Sequence, residues 1–532
     1  MGKLLGDRKT VIRGGAGLIF DHPVTNALNF LQDQNTYIFQ NSTATNYGFG
    51  ESATQALTND PRFTPVGTLP AGSVVPAPSI TVPYAPFTTS SGLPTGELTG
   101  AGLFNYAIDP HLKVPYSEMV SFGLQRELPG HFLVEATYIG RFAHRLLSQA
   151  DAGQVVDFKD TGSGQFLAAA FANLSRGTRQ GGIVTPQPFF ENQMTAAAEQ
   201  NYGTDCPGVA GLFGFSETSC SQFTADILNA LVFRGDMADT VQALGGAGLL
   251  PVGVGLAPQF GTQLYINNKG YSNYNGLLVQ VHKRMAQGLQ FDVNYTWSHS
   301  LDNISAPANQ AFGSNGAGGI MCDAINISVC YGNSDFDITH VITADALFQI
   351  PFGRGKAFAS TIPRWLDEIA GGWQLSVVST WQTGFAFQTV SNAFPISFAN
   401  NTPAVFNGDT AAIKTSPHYD PNTQQIQLFA DPTAAIGSFS GPLGLQGGSR
   451  NNLRGPHFSN FDLGLAKHFP ITEKAGVEFR ADAFNAFNHA NFGLPGASGT
   501  ADISNASSFG VITTTVGAQP YRVLQLALRV DF

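Results

Sequence analysis

The chain has 532 residues, of which only 12% are Asp, Glu, Lys or Arg, together with 60 Gly and 42 Phe. A soluble protein of this size carries about twice that charged fraction, and a formal net charge of −10 lacks the basic face that displaces counterions from nucleic acid. Runs of about 18 apolar residues, which a helical membrane span requires, do not occur. Low charge without long apolar runs suits a membrane β-barrel, in which alternation dilutes the apolar residues.

In chain order, the first expected strand is Lys9 to Phe20, with Ile12, Ala16, Leu18 and Phe20 on one face and Lys9, Arg13, Gly15 and Gly17 on the other. A Pro- and Ser/Thr-rich connection over 21–115 reads as extended loop. Tyr116 to Leu128 alternates again, Pro129-Gly130 turns the chain, and Phe132, Val134, Ala136 and Tyr138 return as the second arm of a hairpin. A long interruption comes next at 148–270, and within it the Ala and Leu spacing of 222–244 predicts short helices. Tyr274 to Arg284 resumes the pattern. Leu289, Phe291, Val293, Tyr295 and Trp297 then alternate with Gln290, Asp292, Asn294, Thr296 and Ser298, and the aromatic end of this strand is expected at an interfacial girdle.

Beyond a loop at 301–335, strands are expected at Ile338 to Ile350 and at Trp373 to Trp381. After a further loop at 388–456 come Phe461, Leu463, Leu465 and Phe469, then Val477, Phe479, Ala481 and Ala483. The chain closes with Leu524, Leu526, Leu528, Val530 and Phe532 alternating against Val523, Gln525, Ala527, Arg529 and Asp531. At roughly 3.3 Å per residue, about a dozen residues make a strand of about 40 Å, which covers a bilayer core when tilted near 45°.

The connections after the first strand run long, short, long, short, long, moderate, long, short, and then about thirty residues into the last strand. That parity is expected when short turns face the periplasm and the long segments 21–115, 148–270, 301–335 and 388–456 lie outside the cell. The predicted fold is therefore all-β, an antiparallel transmembrane β-barrel of about ten strands over 1–532, placed in the outer membrane of a Gram-negative bacterium with lipid as its first partner. The inward face would carry Asp292, Glu478, Arg480, Asp482 and Arg529. Glu478, Arg480 and Asp482 share one face, so cross-strand charge pairing with Arg529 or with Lys-bearing neighbours is expected to stabilise the lumen wall there, with substrate contact as the alternative.

Cys206 with Cys220 and Cys322 with Cys330 fall as two close pairs between strands, which favours local disulfides over free thiols in an oxidising compartment. Zinc sites use tighter spacing and neighbouring His. Asp335, Asp337 and His340 are close in sequence, but opposite parity on a strand keeps His340 from converging with the two carboxylates, so an ordinary strand-mouth cluster is expected. Ser298-His299-Ser300 invites a hydrolase reading, but no recognisable strand-turn-helix context places a nucleophile elbow or a partner acid for it. Gly14, Gly15 and Gly17 precede strand-like sequence where phosphate binding needs a helix N-terminus, and are read as relief of crowding or as room for strand coiling at the barrel wall. Tyr295, Trp297, Trp373 and Trp381 could stack sugars, against the girdle reading. No catalysis, cofactor, metal or nucleic-acid partner is predicted.

KTVIRGGAGLIFD (9–21), VPYSEMVSFGLQRELPGHFLVEATYIGRFAHRLL (114–147), NYNGLLVQVHKRMAQGLQFDVNYTWSHSLDN (273–303), SDFDITHVITADALFQIPFGRGKAF (334–358), GGWQLSVVSTWQTG (371–384), FRADAFNAFNHANFG (479–493) and the closing RVLQLALRVDF together resemble the C-terminal barrel of TonB-dependent receptors, in particular the Oar-like group of acidobacteria. The resemblance implies a barrel of about twenty-two strands, of which this chain would be the C-terminal part, with plug domain and signal peptide absent. It further implies uptake or binding of an unknown extracellular solute, energised by a TonB complex reached only through the missing N-terminal part. Leu526, Leu528, Val530 and Phe532 look like the assembly signal offered to the barrel-insertion machinery. A surface adhesion protein anchored by its barrel and a passive pore are the competing expectations.

Overall fold

A computed structural model describes residues 9–21, 104–109, 111–251, 253–255, 262–305, 320–397, 402–472, 475–496, 499–517 and 520–532. Ten long strands run one after another in a single antiparallel meander, each hydrogen-bonded to the next in chain order. They are β1 (Thr10–Phe20), β2 (Tyr116–Leu128), β3 (Phe132–Asp151), β4 (Thr262–Ala286), β5 (Leu289–Asp302), β6 (His340–Gln349), β7 (Trp373–Gln382), β8 (Phe458–Pro470), β9 (Gly476–Phe484) and β10 (Val523–Asp531). These are the ten strands that the periodicity predicts. Gln287 and Gly288 both adopt positive φ, 54° and 77°, the backbone that closes a two-residue hairpin with the twist of its strands.

Register carries one apolar face across the sheet. Ile12, Leu124, Ala136, Val279, Tyr295, Ile342 and Trp381 are successive cross-strand partners, as are Phe348, Leu375, Leu465, Ala481 and Leu526. On the opposite face Gln125, Glu135, Gln280, Asn294, Thr343, Thr380 and Asn460 form an equivalent row. A slip of one residue in any pair would mix the two rows, so the pattern fixes the register. Leu526 and Leu528 are 73% and 69% exposed, and Phe291 and Val293 are covered only in part. Water on such a belt costs roughly 1.5–3 kcal/mol for each large side chain; lipid removes that cost.

β3 and β4 are longer than the alternation indicates. Their 20 and 25 residues shorten the expected interruption at 148–270 from both ends. The signal is lost because the β3–β4 register shifts between Ala143 and Leu146 and again before Ser148, with Arg145 at φ 57°; each irregularity reverses the parity of the residues beyond it. At about 3.3 Å per residue, β4 is roughly 80 Å long, so its surplus stands well clear of a bilayer core. Of the expected loops, most of 21–115, residues 306–319 and residues 398–401 lie outside the described residues. Phe104–Ile108 runs as a short strand parallel to the beginning of β4.

Between β3 and β4 the chain folds into a helical lobe: α1 (Leu167–Arg179), α2 (Pro188–Tyr202), α3 (Cys206–Leu212), α4 (Cys220–Ile227), α5 (Asn229–Arg234) and α6 (Met237–Gly246). Leu167, Ala170, Phe171, Leu174 and Thr178 recur at helical spacing and are all buried on α1. Of these, Leu167, Ala170, Phe171 and Leu174 form a closed apolar core with Phe189, Phe190, Met194, Phe223, Met237 and Leu244. Asp205, Ser219 and Asp236 cap α3, α4 and α6 by accepting backbone N–H groups of Gly208, Gln222 and Asp239.

Both expected disulfides are present, Cys206–Cys220 with Cα atoms 5.3 Å apart and Cys322–Cys330 at 5.6 Å. The first joins the beginnings of α3 and α4. Closing a loop of 14 residues removes enough unfolded-state entropy to be worth about 3 kcal/mol. The double substitution Cys206→Ser, Cys220→Ser is accordingly expected to make 152–255 far more sensitive to protease while the strands stay protected. An unchanged cleavage rate would show that the helical core holds without the bridge.

Candidate functional site

At the long-loop end of the sheet the connecting segments are packed cores. A second core gathers Phe387, Leu428, Phe429, Phe439, Leu453, Phe509 and Ile512 around a small sheet of Thr415–Asp420, Gln425–Phe429 and Val511–Ile512. A short helix (Pro432–Gly437), capped by Asp431, packs beside it. Phe394 and Leu445, from the same 388–456 connection that supplies much of the second core, pack against the helical lobe. Arg179 donates from α1 to the carbonyls of Gly441 and Pro442, both at 3.0 Å. Gly235, at φ 86° after α5, lies so close to the Pro442 carbonyl that a Cβ there would collide with it.

The mouth is fastened by two arginines. Arg450 donates to the Asp302 carboxylate at 2.6 Å and to the carbonyls of Asp302 and Cys330 at 3.0 and 3.3 Å. Arg454 pairs with the Asp337 carboxylate and donates to the Asp337 carbonyl at 2.7 Å. Asp337 is buried and also accepts the Ser300 N–H at 2.6 Å, with His299 Nδ1 at 3.3 Å. Asn451 donates to Asp335 at 2.6 Å and exchanges amide bonds with Asn333 at 2.8 Å in each direction. Segment 450–454 is thereby tied to the outer ends of β5 and β6. Sequence reading passes over these arginines, because Arg450 and Asp302 are 148 residues apart.

Asp335 and Asp337, expected as a strand-mouth cluster with His340, each turn to an arginine of the 450–454 segment, and His340 bonds the Tyr295 hydroxyl at 2.9 Å. Ser300 Oγ meets Ser334 Oγ at 2.9 Å and Ser298 Oγ donates to the Ile338 carbonyl at 3.0 Å, so both hydroxyls are engaged away from His299. Asp292, Glu478, Arg480, Asp482 and Arg529 all lie on the face opposite the apolar belt, Asp292 paired with His282. The expected cross-strand pairing with Arg529 is not what forms. Glu478 stands opposite Arg529 in register, but Arg480 pairs with Asp482 and Arg529 with Asp531, each at 2.8 Å along its own strand.

Crowding does not explain Gly14, Gly15 and Gly17, either. A Cβ at Gly17 would meet nothing within 4 Å, and at Gly14 and Gly15 it would meet only ordinary contacts at 3.5 Å. Tight positions lie elsewhere in the wall, among them Gly140, where the Tyr138 hydroxyl, Val120 and Phe142 stand 2.8–3.3 Å from where a Cβ would be, and Gly464, where Ser376 Oγ and Asp482 Oδ1 stand closer still. Among the described residues no cluster of His, Cys, Asp and Glu could hold a metal ion.

One buried acid makes the helical lobe sensitive to pH. Burial, reinforced by the neighbouring Asp239 carboxylate, pushes Asp236 up to about 7. An unfolded Asp titrates near 3.9, so between about 4 and 7 the folded lobe holds a proton that the unfolded chain has released. The stabilisation is full at low pH and is lost as pH rises through about 7. The lobe is expected to unfold at lower denaturant at pH 8 than at pH 5, with Asp236→Asn removing most of that difference; equal midpoints would show a charged, compensated carboxylate.

A sheet with one lipid-compatible face, one polar face, short turns at one end and packed lobes at the other defines an outer-membrane barrel wall. The chain belongs to the outer membrane beta barrel domain family, whose sequence profile matches residues 4–525. No curated protein matches it. Similar solved structures include the outer membrane transporter YddB from Escherichia coli, with 9% identity over 80% of this chain and 33% of that one, TM-score 0.31. The FrpB iron transporter from Neisseria meningitidis shows 9% identity over 80% and 32%, TM-score 0.29. The ferric enterobactin receptor PfeA, a mutant from Pseudomonas aeruginosa, shows 9% identity over 79% and 31%, TM-score 0.29. The chain thus spans about a third of the length of each.

Proposed function

We propose that this chain forms part of the wall and the outer mouth of a TonB-dependent-type receptor, Oar-like in sequence, whose parent protein takes up or binds an extracellular solute. The observation that carries this reading is the mouth: two packed cores, joined through Arg179 and pinned by Arg450 and Arg454, stand above a polar sheet face. A mouth of fixed shape presents a defined surface to one solute. Unstructured loops would not. In this reading Asp292, Glu478, Arg480, Asp482 and Arg529 line the lumen, and Leu526, Leu528, Val530 and Phe532 are offered to the insertion machinery. Coupling to TonB runs through a plug and N-terminal segment of the parent protein. No step of this function calls for catalysis by the chain.

The test is an in-frame deletion of 152–255 in the native bacterium, with the protein still in the outer membrane. Growth on a panel of limiting iron chelates, oligosaccharides and peptides is expected to fail for one class. Loss of cell attachment with every uptake unchanged would favour an adhesion protein instead. Steady conductance of the purified chain in planar bilayers would favour a passive pore.

A further inference from the structure

The connection between β6 and β7 differs from the other turns at its end of the sheet, for it contains a helix, α7 (Arg364–Ala370). The key to its position is Lys467 on β8. Lys467 lies in register with Trp373 and Phe479, which puts a charged side chain on the apolar belt, yet it is only 5% exposed. Its amine donates to the carbonyls of Glu368, at 2.6 Å, and Gly371, so the negative end of α7 takes the charge. The Trp373 and Phe469 rings lie 5.6 and 4.9 Å away. The Trp373 indole N–H adds a bond to the Ile369 carbonyl at 3.0 Å. Lys467 stands three residues inside the end of β8, about 10 Å along the strand. α7 is therefore folded back against the outside of the wall.

Held in this way, α7 presents Trp365 and Ile369, one helical turn apart, 68% and 61% exposed, with Phe358 of the preceding turn at 64%. Asp367 points elsewhere, accepting the Arg354 N–H at 2.8 Å. Exposed Arg354, Lys356 and Arg364 are near neighbours of these apolar residues in sequence, against one exposed acid on α7, Glu368. α7 is bonded to the belt-face residues Trp373 and Lys467, and the lipid that meets that belt says what covers this apolar stripe. We propose that α7 and the Phe358 turn form an interfacial anchor in the phospholipid leaflet on the short-turn side. Trp365, Ile369 and Phe358 enter the acyl boundary while the three basic groups meet lipid phosphates, the arrangement by which short amphipathic helices lie in an interface. The inference rests on the barrel wall and is independent of what the parent protein transports.

The full chain, refolded into phospholipid vesicles, tests it by fluorescence. Subtracting the emission of Trp365→Phe from that of the unaltered chain isolates Trp365 from Trp297, Trp373 and Trp381. The difference spectrum is expected to be blue-shifted, shielded from iodide, and quenched more by lipids brominated near the headgroup end of the chain than by lipids brominated near the methyl end. A red-shifted signal open to iodide and indifferent to bromine overturns the proposal, and so does stronger quenching from the deep position. The tryptophans left in Trp365→Phe report the belt in the same vesicles; if bromine fails to quench them too, belt and anchor fall together. Lys467→Met, which suits a lipid-facing site, is expected to free the end of α7 and raise iodide access to Trp365. Unchanged access would refute the fastening.

Discussion

Replacing Arg450 with methionine is expected to destabilise the mouth by about 3–5 kcal/mol, the usual result of leaving one member of a buried ion pair without its partner. The Asp302 side chain is only 2% exposed and Arg450 only 14%, so water cannot substitute for the guanidinium. Arg450 also donates to two carbonyls and reaches Ser305 and Asp335, none of which methionine can satisfy. The expected readout is faster hydrogen exchange and proteolysis in 320–339 and 441–454, with β1 to β10 unaffected. Adding Asp302→Leu to the same chain should recover part of the loss, because the double variant buries no lone charge. If Arg450→Met leaves exchange in both segments unchanged, segment 450–454 is held by its apolar neighbours and the arginine merely decorates the contact.

The wall was legible because alternation survives wherever one face meets lipid and the other does not. Phe291, Val293 and Tyr295 against Asp292 and Asn294 need no tertiary knowledge to be sorted, and pairing of sequential strands through short turns then orders the sheet. The same logic fails above the membrane. Around Arg145 the bulged strand changes parity, so the outer third of β3 reads as loop although it is strand. α1 was legible in principle, since Leu167, Ala170, Phe171 and Leu174 keep a helical period, but a search for strands treats such a segment as an interruption. Arg450, Arg454 and Lys467 were not legible at all. Each is fixed by a partner between 96 and 148 residues away, and nothing in its local pattern separates it from a solvated charge. The pairs Arg480–Asp482 and Arg529–Asp531 show the opposite error: parity correctly placed the side chains on one face, but partners along the strand were nearer than partners across it.

Truncating Phe189 to alanine is expected to cost the helical lobe about 3–5 kcal/mol, the combined loss of burial and of the cavity left behind. Phe189 is fully buried at the start of α2, with its ring 5.4 Å from Phe190 and 6.2 Å from Phe158, so two further rings lose contact. A domain of this size has roughly 5–15 kcal/mol in total, which leaves the variant near the edge of unfolding. The lobe has its own core, caps and disulfide, and the wall has a continuous hydrogen-bonded ladder. Loss of α1 to α6 should therefore be seen as falling helical circular dichroism and exposure of 152–255 to protease, with strand amides still protected. Phe233→Ala, at a side chain 53% exposed, is the matched control and should shift stability by no more than about 0.5 kcal/mol. Should Phe189→Ala also loosen β3 and β4, the lobe and the strands that carry it would be one cooperative unit, and the mouth would transmit a disturbance directly into the barrel wall.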